Sequence, residues 1–327
     1  MKTTRRVWVL WAALTLAAFL FMVVPATLQA AEKNFVRFVV PNMPGSGIDL
    51  SARAISERLG TAFGKPVVIE NMPGAGGIKG THEIVRAPKD GNTIGMVSAN
   101  HVINPSIYKD IPYDPVKDIT PISIVLNMPL LLAVNPKLPA RNLKELIALA
   151  KAQPGKLNYG SAGNGTVLHL AGELFCSEAG VKITHVPYKG GSQLVTDLIG
   201  GHVDMAVITV SMGVQQIKAG TLRAIGLSTP KRSSVLPEVP TLAEGGLPNY
   251  NFDSWAILIG PARLPQPVVK RLNAAVLETL KAKEVREALA VQGSDIVGST
   301  PEEALRAIER DLVKCANLVK QSGAKMD

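Results

Sequence analysis

FVRFVVPNMPGSGIDLSARAISERLG, residues 35–60, decides the fold class. Phe35 to Val40 is a stretch of strand length, apolar except for Arg37. Pro41 to Gly47 is a turn that ends in glycine, and Ile48, Ala52, Ile55 and Leu59 then recur on one helical face before Gly60, where the pattern predicts the helix to stop. A buried strand, a Gly-rich turn and an amphipathic helix form one half of a parallel crossover. The same grammar continues with Val67 to Ile69 and the turn Pro73 to Gly77, and with Thr93 to Ser98 entered from Asp90-Gly91. A second series starts at Leu157 to Gly160, turns through Ser161 to Gly165, and runs a helix past Leu170, Leu174 and Phe175 to Gly180. It goes on through Ile183 to Val186, Gly190-Gly191, a helix from Ser192 to Ile199 closed by Gly200-Gly201, and Val203 to Ile208. The fold class is α/β with mainly parallel sheets.

Two Pro-rich stretches separate these series. Pro105 to Pro139 holds the apolar segments Ile122 to Leu126 and Leu130 to Val134, and Pro230 to Pro267 holds the strand Trp255 to Ile259. One connection out and one back describe a second domain inserted into the first, with a hinge between them. The expected division is residues 31–132 with 252–327 as domain 1, and 133–251 as domain 2. Helices from Pro267 to Leu280, near Val285 to Leu289 and from Thr300-Pro301-Glu302-Glu303 return the chain to domain 1. The last of these opens with a capping box and Pro at its first position.

Lys2, Arg5 and Arg6 precede an unbroken apolar run from Val7 to Val24, and Leu28-Gln29-Ala30 supplies a small residue at a cut. Residues 1–30 read as a signal peptide and place the mature chain outside the cytoplasm. An uncleaved anchor is the competing interpretation of a run this long. Losing the segment lowers the formal charge from +9 to +6, because it carries those three cations and no acid. That modest excess, without a basic cluster and with few aromatic residues, does not suit nucleic acid but favours the approach of small anions. Cys176 and Cys315 are the two cysteines of the chain, and a single distant pair is no disulfide framework. His82, His101, His169, His185 and His202 show no metal spacing. Gly45-Ser46-Gly47 with Glu70 imitates a dinucleotide fingerprint, but Leu50 occupies the third glycine position. A Gly-x-Ser-x-Gly elbow does not occur. Neither a cofactor, a metal nor a catalytic group is expected.

Three Gly-rich turns feed helices: Gly45-Ser46-Gly47, Gly163-Asn164-Gly165-Thr166 and Gly190-Gly191-Ser192. A helix start leaves N–H groups unpaired and partly positive, and glycine lets a ligand come close. Charge-assisted hydrogen bonds contribute roughly 1.5–3 kcal/mol each. Four or five of them, less the cost of association, reach the roughly 8 kcal/mol of micromolar binding. Two carboxylates admit two interpretations: Asp49 complements the positive end of its helix or touches a ligand, and Asp204 is a paired structural group or a site residue.

The motifs Val40-Pro41 with Pro44-Gly45-Ser46-Gly47-Ile48-Asp49, Asn71 to Gly77, Asn104-Pro105-Ser106, Pro112-Tyr113-Asp114-Pro115, Tyr159 to Glu173, His185 to Gly190, Lys218-Ala219-Gly220 and Pro237 to Gly246 occur in one order along the mature region. In this the chain resembles the extracytoplasmic solute receptors of tripartite tricarboxylate transporters, the Bug or TctC receptors. The resemblance implies a two-domain periplasmic-binding-protein fold, a type II-like Venus flytrap. It implies a monomeric periplasmic receptor for a small organic carboxylate, with a two-subunit integral membrane transporter as partner. A receptor that feeds a sensor kinase, or a secreted enzyme acting on small acids, is the alternative. Carried over residue by residue, the ligand-binding positions are Ser46, Gly47, Ser98, Asn100, Ser161, Asn164, Gly165 and Thr166. The family's usual glycine and threonine in the first loop are Ser46 and Ile48 here, and an acidic residue after Val203 to Val207 is replaced by Ile208. These changes make the pocket less polar and count against an amino acid, while leaving an aliphatic or aromatic carboxylate open.

Overall fold

The computed structural model describes residues 34–322 apart from Asp253. The expected signal peptide, residues 1–30, lies outside the described residues. The chain runs through β1 (Val36–Val40), α1 (Gly47–Phe63), β2 (Val67–Asn71), α2 (Ile78–Val85), β3 (Thr93–Ser98), α3 (Asn100–Ile107), β4 (Ile119–Met128), β5 (Leu130–Val134) and α4 (Leu143–Ala152). It continues with β6 (Asn158–Ser161), α5 (Val167–Ala179), β7 (Thr184–Pro187), α6 (Gly191–Gly200), β8 (Met205–Thr209), α7 (Val210–Lys218) and β9 (Arg223–Leu227). It ends with β10 (Ser254–Pro261), α8 (Gln266–Lys281), α9 (Lys283–Val291), β11 (Asp295–Ile296) and α10 (Pro301–Ser322).

Among the described residues the strands form two sheets, in the orders β11-β4-β10-β3-β1-β2 and β7-β6-β8-β5-β9. β1 pairs parallel with β2 and β3, and β6 pairs parallel with β7 and β8. In each sheet one antiparallel strand arrives from the other lobe. β5 follows β4 directly after Pro129 and inserts between β8 and β9, while β10 inserts between β3 and β4. Each lobe therefore completes its sheet with a strand delivered by the crossing chain, the two-lobed α/β arrangement that the resemblance implies. β3, β5, β8 and β10 are buried along their whole length, as strands covered on both faces must be, and their sequences are accordingly near-continuous apolar runs.

Local chemistry accounts for the element ends. Ser46 caps α1, and the helix runs past Gly60 to a left-handed Gly64, whose N–H reaches the carbonyls of Gly60 and Thr61. The stop therefore comes four residues after the glycine expected to end it. Gly60 stays helical, and its bareness serves packing, since Lys65 O would stand only 3.1 Å from a Cβ there. Gly180 and Gly201 cap α5 and α6 in the left-handed conformation. At α10, Thr300 and Glu303 exchange the hydrogen bonds of a capping box, at 2.9 and 3.2 Å. α4 and β9 fall in stretches that the sequence patterns leave unassigned. Asn142 caps α4, which buries Leu143, Leu146 and Ala150; β9 carries Gly226, whose bareness admits Leu242.

One apolar cluster covers one face of the first sheet through Phe38, Ile55, Leu59, Leu126 and Leu272. The other is continuous between the lobes and joins Ile103 and Ile107 to Tyr159, Phe175, Leu227 and Trp255. α10 packs on α3, β4 and α5, so it touches both lobes. It also grips the returning chain. Asp311 accepts from Trp255 Nε1 at 2.8 Å, Lys314 donates to Asn251 O at 2.9 Å, and the Lys314 ammonium lies 5.5 Å from the centre of the Phe252 ring. Trp255 is thus at once beside the crossing and a core residue, 4% exposed. Cys176 and Cys315 are free thiols.

Candidate functional site

The seam between the lobes is built from helix starts. On the first lobe, the turn before α1 is braced from below by Asp49, which is 1% exposed. Its carboxylate accepts from Gly45 N at 2.8 Å, Arg53 Nε at 3.0 Å and Asn71 Nδ2 at 2.9 Å. Burial pushes its pKa up, but the Arg53, Gly45 and Asn71 donors and the Arg53 charge outweigh that and hold it below the ordinary carboxylate value. Both oxygens of Asp49 are thereby engaged in shaping the loop. Ser46 Oγ accepts from Asp49 N at 3.4 Å, which leaves the amides of Gly47 and Ile48 at the head of the helix.

Gly47 faces the second lobe. A Cβ on it would stand 3.2 Å from Ser211 Oγ, 3.5 Å from Thr209 Oγ1 and 3.8 Å from Met128 Sδ. Thr209 and Ser211 flank the start of α7 and hydrogen-bond each other at 2.9 Å, while Val210 N is tied to Pro129 O at 3.0 Å. The heads of α1 and α7 therefore oppose each other beside the first crossing, with two hydroxyls between them. Neither hydroxyl figures among the sequence-derived positions. Thr209-Val210-Ser211 is a strand-to-helix junction without glycine, and the signal available was its pair of hydroxyls flanking a helix start.

A second contact joins α3 to α5. Asn100 Oδ1 accepts from Val167 N at 3.0 Å, so a first-lobe side chain caps a second-lobe helix. Gly165, at φ 68°, packs so closely on α3 that a Cβ would lie 2.6 Å from Ile107 Cγ2. Only a residue that tolerates the left-handed region and has no side chain fits there. Thr166 is the N-cap of α5: its hydroxyl donates to Gly163 O at 2.8 Å and accepts from His169 N at 3.3 Å. What Thr166 can offer a ligand is thereby limited to its place in the loop. Ser161 Oγ, fully buried, lies 2.7 Å from His185 Nε2 and accepts from Gly163 N at 3.1 Å. Asn164 is half-buried beside these groups. Ser98 ends β3, paired with Ala256 of β10, and is 8% exposed.

The structure thus brings Gly47 against the second lobe, and Asn100, Gly165 and Val167 together at a neighbouring point of the seam. Of the third Gly-rich turn, Gly191 packs on Met212, the residue after Ser211 in the first turn of α7. Asp204 is structural, since it exchanges hydrogen bonds with Asn158 at 2.9 Å in both directions. Arrays of amides at helix heads with hydroxyls beside them suit a small anion. By contrast, a surface hollow of about 560 Å³ lined by Ser56, Gly60 and Lys65 lies at the other end of α1, where carbonyls point outward and an anion is disfavoured. Among the described residues no three His, Cys, Asp or Glu side chains are placed to hold a metal. Within the same residues no helix is long and apolar enough to cross a membrane.

The model of the tripartite tricarboxylate transporter family receptor matches residues 51–324. BugT of Bordetella pertussis (strain Tohama I) is 34% identical over 304 residues, 92% of this chain and 93% of that protein. Among solved structures, a periplasmic transporter superimposes with a TM-score of 0.85 at 38% identity, covering 91% of this chain and 100% of that one. An R. palustris protein with adipate has a TM-score of 0.85 at 32% identity, covering 90% and 100%. MatC from Rhodopseudomonas palustris with bound malate has a TM-score of 0.81 at 29% identity, covering 87% and 98%.

Proposed function

The chain belongs to the tripartite tricarboxylate transporter receptor family, and on that premise we propose that it is a monomeric periplasmic receptor that holds a small organic carboxylate in the seam between its lobes and delivers it to a two-subunit membrane transporter. The observation that carries this reading is the approach of Gly47 to Ser211 Oγ and Thr209 Oγ1, because it sets two helix heads and two hydroxyls around one point. Ser46, Gly47, Ser98, Asn100, Ser161, Asn164, Gly165 and Thr166 are the proposed ligand-binding residues, Thr166 as the cap that shapes the loop and not through its hydroxyl, joined by Thr209 and Ser211. Adipate and malate in the related structures are both dicarboxylates, which supports the chemical class. Neither a cofactor nor a metal has a part in the proposed function, and binding leaves the ligand chemically unchanged. The signal peptide directs export and is cleaved near Ala30. The moving bodies are the expected residues 31–132 with 252–327 and residues 133–251, with the first boundary drawn back to Pro129 because β5 (Leu130–Val134) pairs wholly within the second sheet.

The test is to purify the receptor from a periplasmic extract, denature it and identify the released small molecule by mass spectrometry. The same protein is then titrated with a panel of small mono- and dicarboxylates by calorimetry and solution scattering. Saturable binding of an unaltered acid with a smaller radius of gyration is expected. A turnover product, or an unchanged scattering profile at saturation, would overturn the receptor or its closure respectively.

A further inference from the structure

Beneath the second-lobe loop lies a cluster of ionisable groups that the proposed binding role does not use. His169 of α5 and His185 of β7 stack with ring centres 3.9 Å apart and planes inclined by 11°. Both rings hold the loop directly. His169 Nδ1 accepts from Gly165 N at 3.0 Å, and His185 Nε2 shares a hydrogen bond with Ser161 Oγ at 2.7 Å. An amide N–H can only donate, so His169 Nδ1 must carry a lone pair, and the proton of the neutral ring sits on Nε2. That nitrogen lies 3.8 Å from Glu173 Oε1, a carboxylate that also receives the Tyr159 hydroxyl.

We propose that His169 and His185 are positioning residues, a neutral stacked pair that keeps the loop Ser161–Thr166 in its binding shape, and that a proton taken up at His169 Nδ1 releases the loop. This rests on the reading that the loop contacts the carboxylate. Protonation converts the acceptor of the Gly165 N–H into a second donor, so two N–H groups would face each other in a buried place. Gly165 cannot turn away, because it already packs against Ile107 of the first lobe. Loss of the bond is therefore felt at the seam.

The surroundings favour the neutral pair. Burial pushes His169 down from its ordinary 6.5 to about 4, and burial followed by the nearness of His169 does the same to His185. Glu173 faces the pair from α5 and pulls the other way, but burial wins. Tyr159 of β6, whose ring stacks on both histidines, stays neutral because burial raises it, and burial does the same to Tyr250 and pushes Cys176 up to about 12 further along the same core. Because the folded values lie below 6.5, the hold on the loop is complete above that pH and is lost as pH falls toward about 4. The two rings are close enough that the first proton belongs to the pair and the second is resisted.

Nitrogen-15 NMR of the full receptor tests this without a ligand. At about pH 7.5 His169 Nδ1 should resonate as an unprotonated acceptor, and the Gly165 amide should exchange slowly. Toward about pH 4.5 its protection should drop by about tenfold or more beyond the intrinsic pH effect. H169N places an amide oxygen where Nδ1 stood and cannot take a proton, so Gly165 should stay protected at both pH values; H169L should leave it unprotected at both. A protonated Nδ1 at neutral pH, or an H169N profile that follows the wild type, overturns the proposal. Should neither variant fold, the wild-type tautomer and the pH course of Gly165 still decide it. Calorimetry with a carboxylate panel including adipate and malate is read separately. The expected NMR pattern without carboxylate binding counts against the receptor role and supports the pair; binding with the wrong tautomer does the reverse.

Discussion

Gly47→Val examines the opposed helix heads directly. Gly47 is the first residue of α1 and does not sit at positive φ, so valine there carries no backbone strain, and replacing glycine changes helix stability by less than about 1 kcal/mol. Alanine already brings a Cβ to 3.2 Å from Ser211 Oγ, a distance that rotation of the serine hydroxyl relieves. The two methyls of valine extend about 1.5 Å further, toward Ser211 Oγ and Thr209 Oγ1, both of which lie within 3.5 Å of the Cβ position. The lobes must then stand apart. A carboxylate bridging both heads loses the contacts to one of them. Two charge-assisted hydrogen bonds at roughly 1.5–3 kcal/mol each amount to about 3–6 kcal/mol, or roughly a hundredfold to ten-thousandfold in Kd. The acid that binds the wild type is titrated into Gly47→Val by calorimetry, beside thermal unfolding and scattering, with Gly47→Ala as the mild control. Full stability with affinity within about threefold of wild type would refute the claim that Gly47 faces the ligand.

Asp49→Asn should destabilise by about 1–3 kcal/mol, because an amide cannot accept from Gly45, Arg53 and Asn71 together; thermal unfolding measures it. Since the carboxyl is held below its ordinary 3.8, the wild type should keep this contribution above that pH and lose it as pH falls further, whereas the variant should show a flatter acid limb. Thr166→Val should cost about 0.5–2 kcal/mol of stability as a lost N-cap, because its hydroxyl serves Gly163 and His169. Loss of affinity at unchanged stability would instead show a ligand contact by the hydroxyl. Asn100→Ala removes the acceptor of Val167 N across the seam, and scattering of the ligand-free variant should show a larger radius of gyration. A profile identical to wild type would mean that this bond does not help hold the lobes together.

The sequence by itself determined what depends on neighbours a few residues apart. The strands Val36–Val40 and Thr93–Ser98 are legible as mainly apolar stretches of strand length, α5 and α6 end at their glycines, and the capping box at Thr300 is visible from residue type and spacing. The motifs before α1 and α5 marked helix starts for the same reason, since a helix head is a local object. Asp49 and Asp204 stayed ambiguous because their partners come from elsewhere: Asn71 in β2 for one, Asn158 in β6 for the other. Only the tertiary structure set Gly47 opposite Ser211, and His169 against His185 beneath the loop. It also handed each sheet a strand from the crossing chain, and placed the passage between sheets at Pro129, between the apolar segments Ile122 to Leu126 and Leu130 to Val134. Such juxtapositions arise when remote segments pack to bury a shared core. Gly47 and Ser211 stand more than a hundred positions apart, and no periodic pattern marks that they will meet, because pattern reports neighbours a few residues away whereas burial of a shared core pairs remote segments.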